Sequence, residues 1–334
     1  MRLIASERSC SIHIPDGYLS PATCAVLYGA ALPFWAVAAR KVGKLMRARM
    51  VPLVSLFSAF AFALQMFNVP LPGGTTGHAV GGTLLALVLG PWGAVVGLSV
   101  VFLLQALFFG DGGITAYGAN AFNMAIVLPL AGYGLYRFLI TLLPGKQVIA
   151  AVIASYIAII LAAFLTALEL GLQPRLFHAA DGTPLYAPYD LKIALPAVMV
   201  PHLLVAGPIE AVVTGLVLAF LLRTRMPLGV MPQPHPLPLR WLWVGLGLVA
   251  LLTPIGLLAS GTAWGEWGGD DLKEMLGFVP QGLARLENLW QAPFSGYSLP
   301  GIGPMAGYIA SAIVGMGMLA LISFLVLRAS RRKG

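Results

Sequence analysis

The chain has 334 residues, 59% of them hydrophobic and only 10% charged, with a mean hydropathy of +0.88, a composition outside that of soluble globular domains. A water-soluble enzyme is excluded, and the formal charge of +8 reads first as a record of membrane topology rather than as a footprint for nucleic acid. Cys10 and Cys24 form neither a CxxC motif nor a zinc-finger spacing.

Residues 1 to 20 carry Arg2, Glu7, Arg8 and Asp16 and lack an apolar core, so they read as a polar tail and not as a cleavable signal peptide. Beyond them, runs long enough to cross a hydrocarbon core, which takes about 20 residues, recur between short breaks rich in Gly, Pro or charge. The predicted spans are nine, at 21–39, 50–68, 76–91, 93–110, 118–141, 147–171, 193–222, 241–260 and 304–327. The expected fold is an all-α polytopic membrane protein embedded in a lipid bilayer. A Pro-rich stretch divides it into a domain over 1–225, a cytoplasmic linker over 226–240 and a two-helix part over 241–334.

Nine spans sort the loops into two alternating sets. One set holds Arg40, Lys41, Lys44, Arg47, Arg49, Arg137, Lys146, Arg223, Arg225, Arg240, Arg328, Arg331, Arg332 and Lys333, which is 14 of the 20 basic residues and none of the 12 acids. The positive-inside rule then places the N-terminus outside and the C-terminus in the cytoplasm. The long segment over 261–303 falls outside. It carries Trp264, Glu266, Trp267, Asp270, Asp271 and Glu274, followed by Leu283, Leu286, Leu289 and Trp290 at the spacing of a short amphipathic helix. That helix is expected to pack on the membrane surface or on the other domain, with metal delivery as the alternative role for the acids.

Polar residues are scarce in such a chain and mark its chemistry. His13 lies in the tail and His78 in the Gly-rich stretch before the third span, both on the predicted outer face, and imidazole nitrogen suits Ni²⁺, Co²⁺, Cu²⁺ and Zn²⁺. Gly73, Gly74 and Gly77 would let this loop approach the tail, or simply form a turn. Asn120 and Asn123, at i and i+3, put two amides on one helix face, either to orient His78 or the tail or to bond between helices. Asp16 is expected to pin the tail by accepting backbone N–H bonds within the Pro15-Asp16-Gly17 turn.

Glu210 reads as the only acid deep inside a span, serving either structural pairing or a proton or metal relay with His202. The two lie about 80° apart on a regular helix, so a direct pair depends on a kink at Pro201 or Pro208. His178 and His235 read as loop residues. No GxxxxGK[ST], HExxH or GxSxG occurs in the chain, so ATP binding of the P-loop kind, zinc proteolysis and esterase chemistry have no motif here.

The segments His13-Ile-Pro-Asp-Gly-Tyr-Leu-Ser-Pro21, Pro72-Gly-Gly-Thr-Thr-Gly-His78 and Asp111-Gly-Gly-Ile-Thr-Ala-Tyr-Gly-Ala-Asn120-Ala-Phe-Asn-Met124 resemble the signature motifs of the CbiM/NikM family. These are the substrate-binding membrane components of energy-coupling-factor (ECF) cobalt and nickel transporters. The resemblance covers roughly residues 12–225, and the remainder is similar to a fused CbiN/NikN-like subunit. It implies a transporter component without enzymatic activity, which captures Co²⁺ or Ni²⁺ as cargo. Partners, a transmembrane coupling subunit and two cytoplasmic ATPases, would handle ATP.

The resemblance further implies a metal held by His13, His78 and the nitrogen of Ile12, with the His13 backbone nitrogen and imidazole acting together. Ile12 stands where the family has a terminal Met, and its nitrogen is an amide unless the functional chain starts there, which would restore an amine. The nitrogen-rich set leans to Ni²⁺. Rival readings of the same residues are a polytopic membrane enzyme using Glu210 and His202 as an acid/base pair, or a passive cation channel lined by Glu210.

Overall fold

Glycine and proline punctuate the apolar runs, and several helix starts fall on them, at Pro21, Gly82, Pro91, Gly207 and Pro304. A computed structural model describes residues 13–45, 51–71, 75–224, 239–258 and 264–331. The tail leads into α1 (Pro21–Leu45) and then α2 (Val51–Gln65). A short hairpin follows, β1 (Val69–Leu71) antiparallel to β2 (Thr75–Gly77), with Val69 opposite Gly77. α3 (Gly82–Leu89) and α4 (Pro91–Leu104) come next, and a π-helical stretch over Gln105–Phe109 continues α4. α5 (Tyr117–Asn120) runs through a second π-helical stretch into α6 (Leu128–Leu142), before α7 (Gln147–Leu176). α8 (Leu191–Pro201) joins α9 (Gly207–Arg223) through a third, over His202–Ala206. In the C-terminal part, α10 (Leu239–Leu252), α11 (Gly269–Leu276), α12 (Gln281–Leu286) and α13 (Pro304–Arg331) complete the chain.

Among the described residues, six helical rods are long and apolar enough to cross a membrane: Pro21–Val42, Pro91–Phe109, Tyr117–Leu142, Gln147–Leu176, Leu191–Arg223 and Pro304–Leu325. They coincide with six of the predicted spans. The other three predicted stretches form shorter helices, α2, α3 and α10. The stretch predicted as 76–91 is divided because Gly81 and Gly90 both take φ +76°, a region open mainly to glycine, and end α3 on either side. All eight residues of α3 are buried, so its short length costs nothing in a bilayer: its ends meet protein, not lipid.

Helix–helix contact relies on small residues. A Cβ on Gly315 of α13 would come within 2.1 Å of the Phe62 ring of α2, so these two helices meet where a side chain is absent. Outward, Leu142, Leu204, Leu216, Phe138 and Phe324 are exposed, the apolar surface a multi-pass membrane protein presents to lipid. The tail 13–20 does not trail into solvent. Ile14, Tyr18 and Leu19 are buried with Leu272 and Leu283 of α11 and α12, which cover it. The linker expected over 226–240 lies outside the described residues except for its last two.

Candidate metal centre

His13 enters the core because the backbone beside it is satisfied there. The Asn120 side chain brackets Ile14, its Oδ1 accepting from the Ile14 N–H at 2.8 Å and its Nδ2 donating to the Ile14 carbonyl at 3.0 Å. The Gly113 N–H donates to that carbonyl as well, at 2.9 Å. Asp16 accepts from the N–H groups of Ile114 and Thr115, at 3.1 and 2.7 Å, and from the Thr115 hydroxyl. The tail is thus sewn to the loop 111–116, each bond contributing about 0.5–1.5 kcal/mol net. Gly112 makes this approach possible: its φ is +86°, and a Cβ there would stand 2.9 Å from that of His13.

His78 follows the hairpin directly and is fully buried. The Val80 and Gly81 N–H groups behind it donate to one Glu210 oxygen at 2.8 and 2.9 Å, which fixes the loop to α9. The His78 Nδ1 faces the Ala79 carbonyl at 3.1 Å, and its Nε2 has no hydrogen-bond partner among the described residues. The His13 Nδ1 pairs with Asp111. At His78 the carbonyl acceptor selects the tautomer protonated on Nδ1, so Nε2 carries the lone pair, the arrangement in which ligand histidines are ordinarily held.

The ring centres lie 5.4 Å apart, tilted by 51°. A metal–nitrogen bond of about 2 Å puts an ion roughly 3 Å from each ring centre, so one ion can reach both. Among the described residues, no group of three or more His, Cys, Asp or Glu forms a complete ligand set, and further donors have to come from backbone or from outside this set. Ile12 lies outside the described residues. A chelate through the His13 backbone nitrogen and its own ring would close on Nδ1, the atom Asp111 holds here.

Asp111 is itself placed from two sides, by its own segment and by the C-terminal part. Its backbone N–H donates to the Gln105 carbonyl at the close of the π-helical turn, at 3.1 Å. Its second carboxylate oxygen accepts from the Tyr297 hydroxyl. The segment carrying Tyr297 also caps this turn: Trp290 Nε1 donates to the Leu107 carbonyl at 2.8 Å and the Phe294 N–H to that of Phe108 at 2.9 Å, serving carbonyls a helix end leaves open. Burial, and next the adjacent Asp111 carboxylate, push the Tyr297 phenol well above its ordinary value, so it stays protonated and donates.

Residues 13–228 match the family described as "Cobalt uptake substrate-specific transmembrane region", CbiM, and residues 240–332 match the PDGLE domain. The chain belongs to the CbiM family. Its C-terminal part is a fused NikN-like region, as in two relatives aligned over nearly their full length. The "Fused nickel transport protein NikMN" of Rhodobacter capsulatus is 44% identical, with 92% of this chain and 95% of the relative covered. The "Probable fused nickel transport protein LarMN" of Lactiplantibacillus plantarum is 46% identical, covering 95% and 96%. A crystal structure of a truncated transition metal transporter superposes with a TM-score of 0.61 at 56% identity, over 64% of this chain and 99% of that one.

In this CbiM-family chain the two candidate histidines meet, and Asn120 and Asp16 secure the tail. Asp16 finds its backbone donors across the fold, in 114–115, and not within its own turn. Asn123 touches neither histidine nor tail: its Nδ2 donates to Thr166 and Glu169 of α7, at 3.2 and 2.9 Å. His202 and Glu210 have separate partners. His202 Nδ1 donates to the Val198 carbonyl at 2.7 Å, and its ring lines a small internal cavity with His78, Met124 and Thr166, so the acid/base pair lacks its geometry. His178 Nδ1 bonds the Ala179 carbonyl in a loop, while His235, Gly73 and Gly74 lie outside the described residues.

Among the acids of 261–303, Asp271 accepts from the Gly268 N–H at 3.0 Å as the cap of α11, a structural task. Of the predicted apolar stripe, Leu283 is buried, whereas Leu289 and Trp290 are exposed beyond the end of α12. Sequence reasoning passed over Asp111, Tyr297 and Glu169. Asp111 stood inside a quoted motif but had no charge partner nearby in sequence, and Glu169 lay two residues from the predicted end of its span.

Proposed function

We propose that this protein is the metal-capturing membrane subunit of an importer for Ni²⁺ or Co²⁺, binding the ion between His13 and His78. The observation that carries the reading is two buried imidazoles whose ring centres lie 5.4 Å apart, one beside Asp111 and one beside the Ala79 carbonyl. The names of the nickel transport relatives support the cargo. The Ile12 nitrogen, next in the chain to His13, is the third donor in this reading.

The distribution of basic residues supports an outward-facing site in the cell membrane, with the basic loops inside. Because these 334 residues carry no P-loop, the energy for release is assigned to two cytoplasmic ATPases acting through a transmembrane coupling subunit. Calorimetry of the purified full chain with Ni²⁺ and with Co²⁺, alongside N-terminal sequencing, tests the reading. His78→Ala is expected to weaken binding beyond the roughly 10–100-fold that altering a ligand's hydrogen-bond partner costs. Unchanged affinity in His78→Ala, or no binding of either ion by the unaltered chain, overturns it.

A further inference from the structure

The bundle encloses a cavity of about 20 Å³, room for one water-sized occupant, where His78, Met124, Thr166 and His202 interrupt a wall otherwise made of Val, Ile and Ala. All four are at least nine-tenths buried, and His202 lies inside the rod Leu191–Arg223. Two of them stand on π-helical stretches: Met124 within Ala121–Val127, and His202 at the head of His202–Ala206. Such turns, which take in one residue more than an α-turn, recur at functional sites.

Packing accounts for the apolar wall but not for the nitrogens. His202 Nδ1 donates to the Val198 carbonyl at 2.7 Å, so its Nε2 carries the lone pair. The same holds for His78, whose Nδ1 is taken by the Ala79 carbonyl and whose buried Nε2 has no hydrogen-bond partner among the described residues. Two imidazoles and one thioether thus border a space for a single particle. That donor set suits a divalent transition-metal ion and not Mg²⁺ or Ca²⁺, which take oxygen. His78 belongs to two neighbourhoods: its ring centre lies 5.4 Å from that of His13, and the same ring lines the cavity, which His13 does not.

We propose that this cavity is a second station for the cargo ion, adjoining the capture site and sharing His78 with it, in which His202 Nε2 and the Met124 sulfur replace the donors of the tail. The inference rests on the metal-capture reading above and adds to it a place for the ion within the bundle. Because His78 has a single nitrogen to offer, one ion occupies the two stations in alternation. The bonds to the tail break as those to His202 and Met124 form, without a return of the ion to water.

The test uses the full chain in detergent, with Ni²⁺ followed by calorimetry and by X-ray absorption at the nickel edge, which detects a bound sulfur. In a His13→Ala background, where the capture site has lost a ring, one Ni²⁺ is expected to remain bound, more weakly, with sulfur among its ligands. Adding Met124→Leu, which nearly conserves volume, is expected to erase the sulfur signal and to lower the residual affinity at least about 10-fold, no less than losing a ligand's orienting partner costs. Adding His202→Gln should lower it to a similar extent. Ile126→Val trims a buried side chain of the same π-helical stretch as Met124 and removes no donor; the residual affinity is expected to hold.

No binding in His13→Ala, no sulfur signal there, undiminished affinity after Met124→Leu or His202→Gln, or an equal loss in Ile126→Val each overturns this proposal alone when the unaltered chain binds Ni²⁺ through His78. If the unaltered chain binds no Ni²⁺, or His78→Ala leaves its affinity unchanged, the metal-capture reading fails and this proposal with it.

Discussion

The two histidines of the centre are held by opposite means. His78 is carried by main chain: a hairpin in fixed register ends at Gly77, and one carboxylate, Glu210, takes the next two free N–H groups. His13 sits on a tail fastened by side chains from two distant parts of the chain, Asn120 and Asp111 in one and, behind Asp111, Tyr297 in the other. His78 is thus a post built into the bundle, whereas His13 is a piece of chain clamped into position. Disturbing the post should damage the fold, and disturbing the clamps should damage the site while the fold stands.

The largest test of that distinction is Glu210→Ala, which strands the buried N–H groups of Val80 and Gly81. A loss of about 2–5 kcal/mol in stability is expected, seen as a lowered thermal midpoint in micelles, with metal affinity falling alongside. An unchanged midpoint would show that the loop holds itself. Next comes Asn120→Ala, where affinity for Ni²⁺ should fall roughly 10–30-fold, within the range for lost orienting partners, while the melt moves by only a few degrees. A melt as damaged as that of Glu210→Ala would erase the contrast.

Asp16→Ala acts one step further from the ring and should cost about 3–10-fold in affinity. Protease sensitivity of the tail, rising on substitution, would report the same loosening directly. The smallest effect is expected from Trp290→Phe, which removes one N–H to a helix-end carbonyl and should cost about 0.5–1.5 kcal/mol or less, with affinity unchanged by titration.

Much of this was legible in the sequence because polar residues are conspicuous in an apolar chain. His13, His78, Asp16 and Asn120 stood out in this way; the two rings lie side by side, and the other two fasten the tail that carries His13. What the sequence hides is partnership at long range. Asp111 and Tyr297 are separated by 186 positions, and no periodicity links a carboxylate after one helix to a phenol before another. Of the two roles open to Asn123, its amide takes the bond between helices, to Glu169 on α7, a partner that the spacing did not name. α3 was disguised differently: eight residues buried on every side read in a hydropathy pattern like part of a membrane span. The hairpin before it is three residues a strand, too short for alternation to register.

The carbonyls of Leu107 and Phe108 receive their donors from Trp290 and Phe294, which makes the C-terminal region complementary to the N-terminal one at atomic detail and not merely attached to it. A cut between 226 and 240 leaves every group of this seam in place, so co-purification of the two pieces after such a cut is the expected outcome. What the covalent link adds is proximity, an effective concentration on the order of millimolar, so that a weak mutual affinity suffices and the two pieces are always made in equal number.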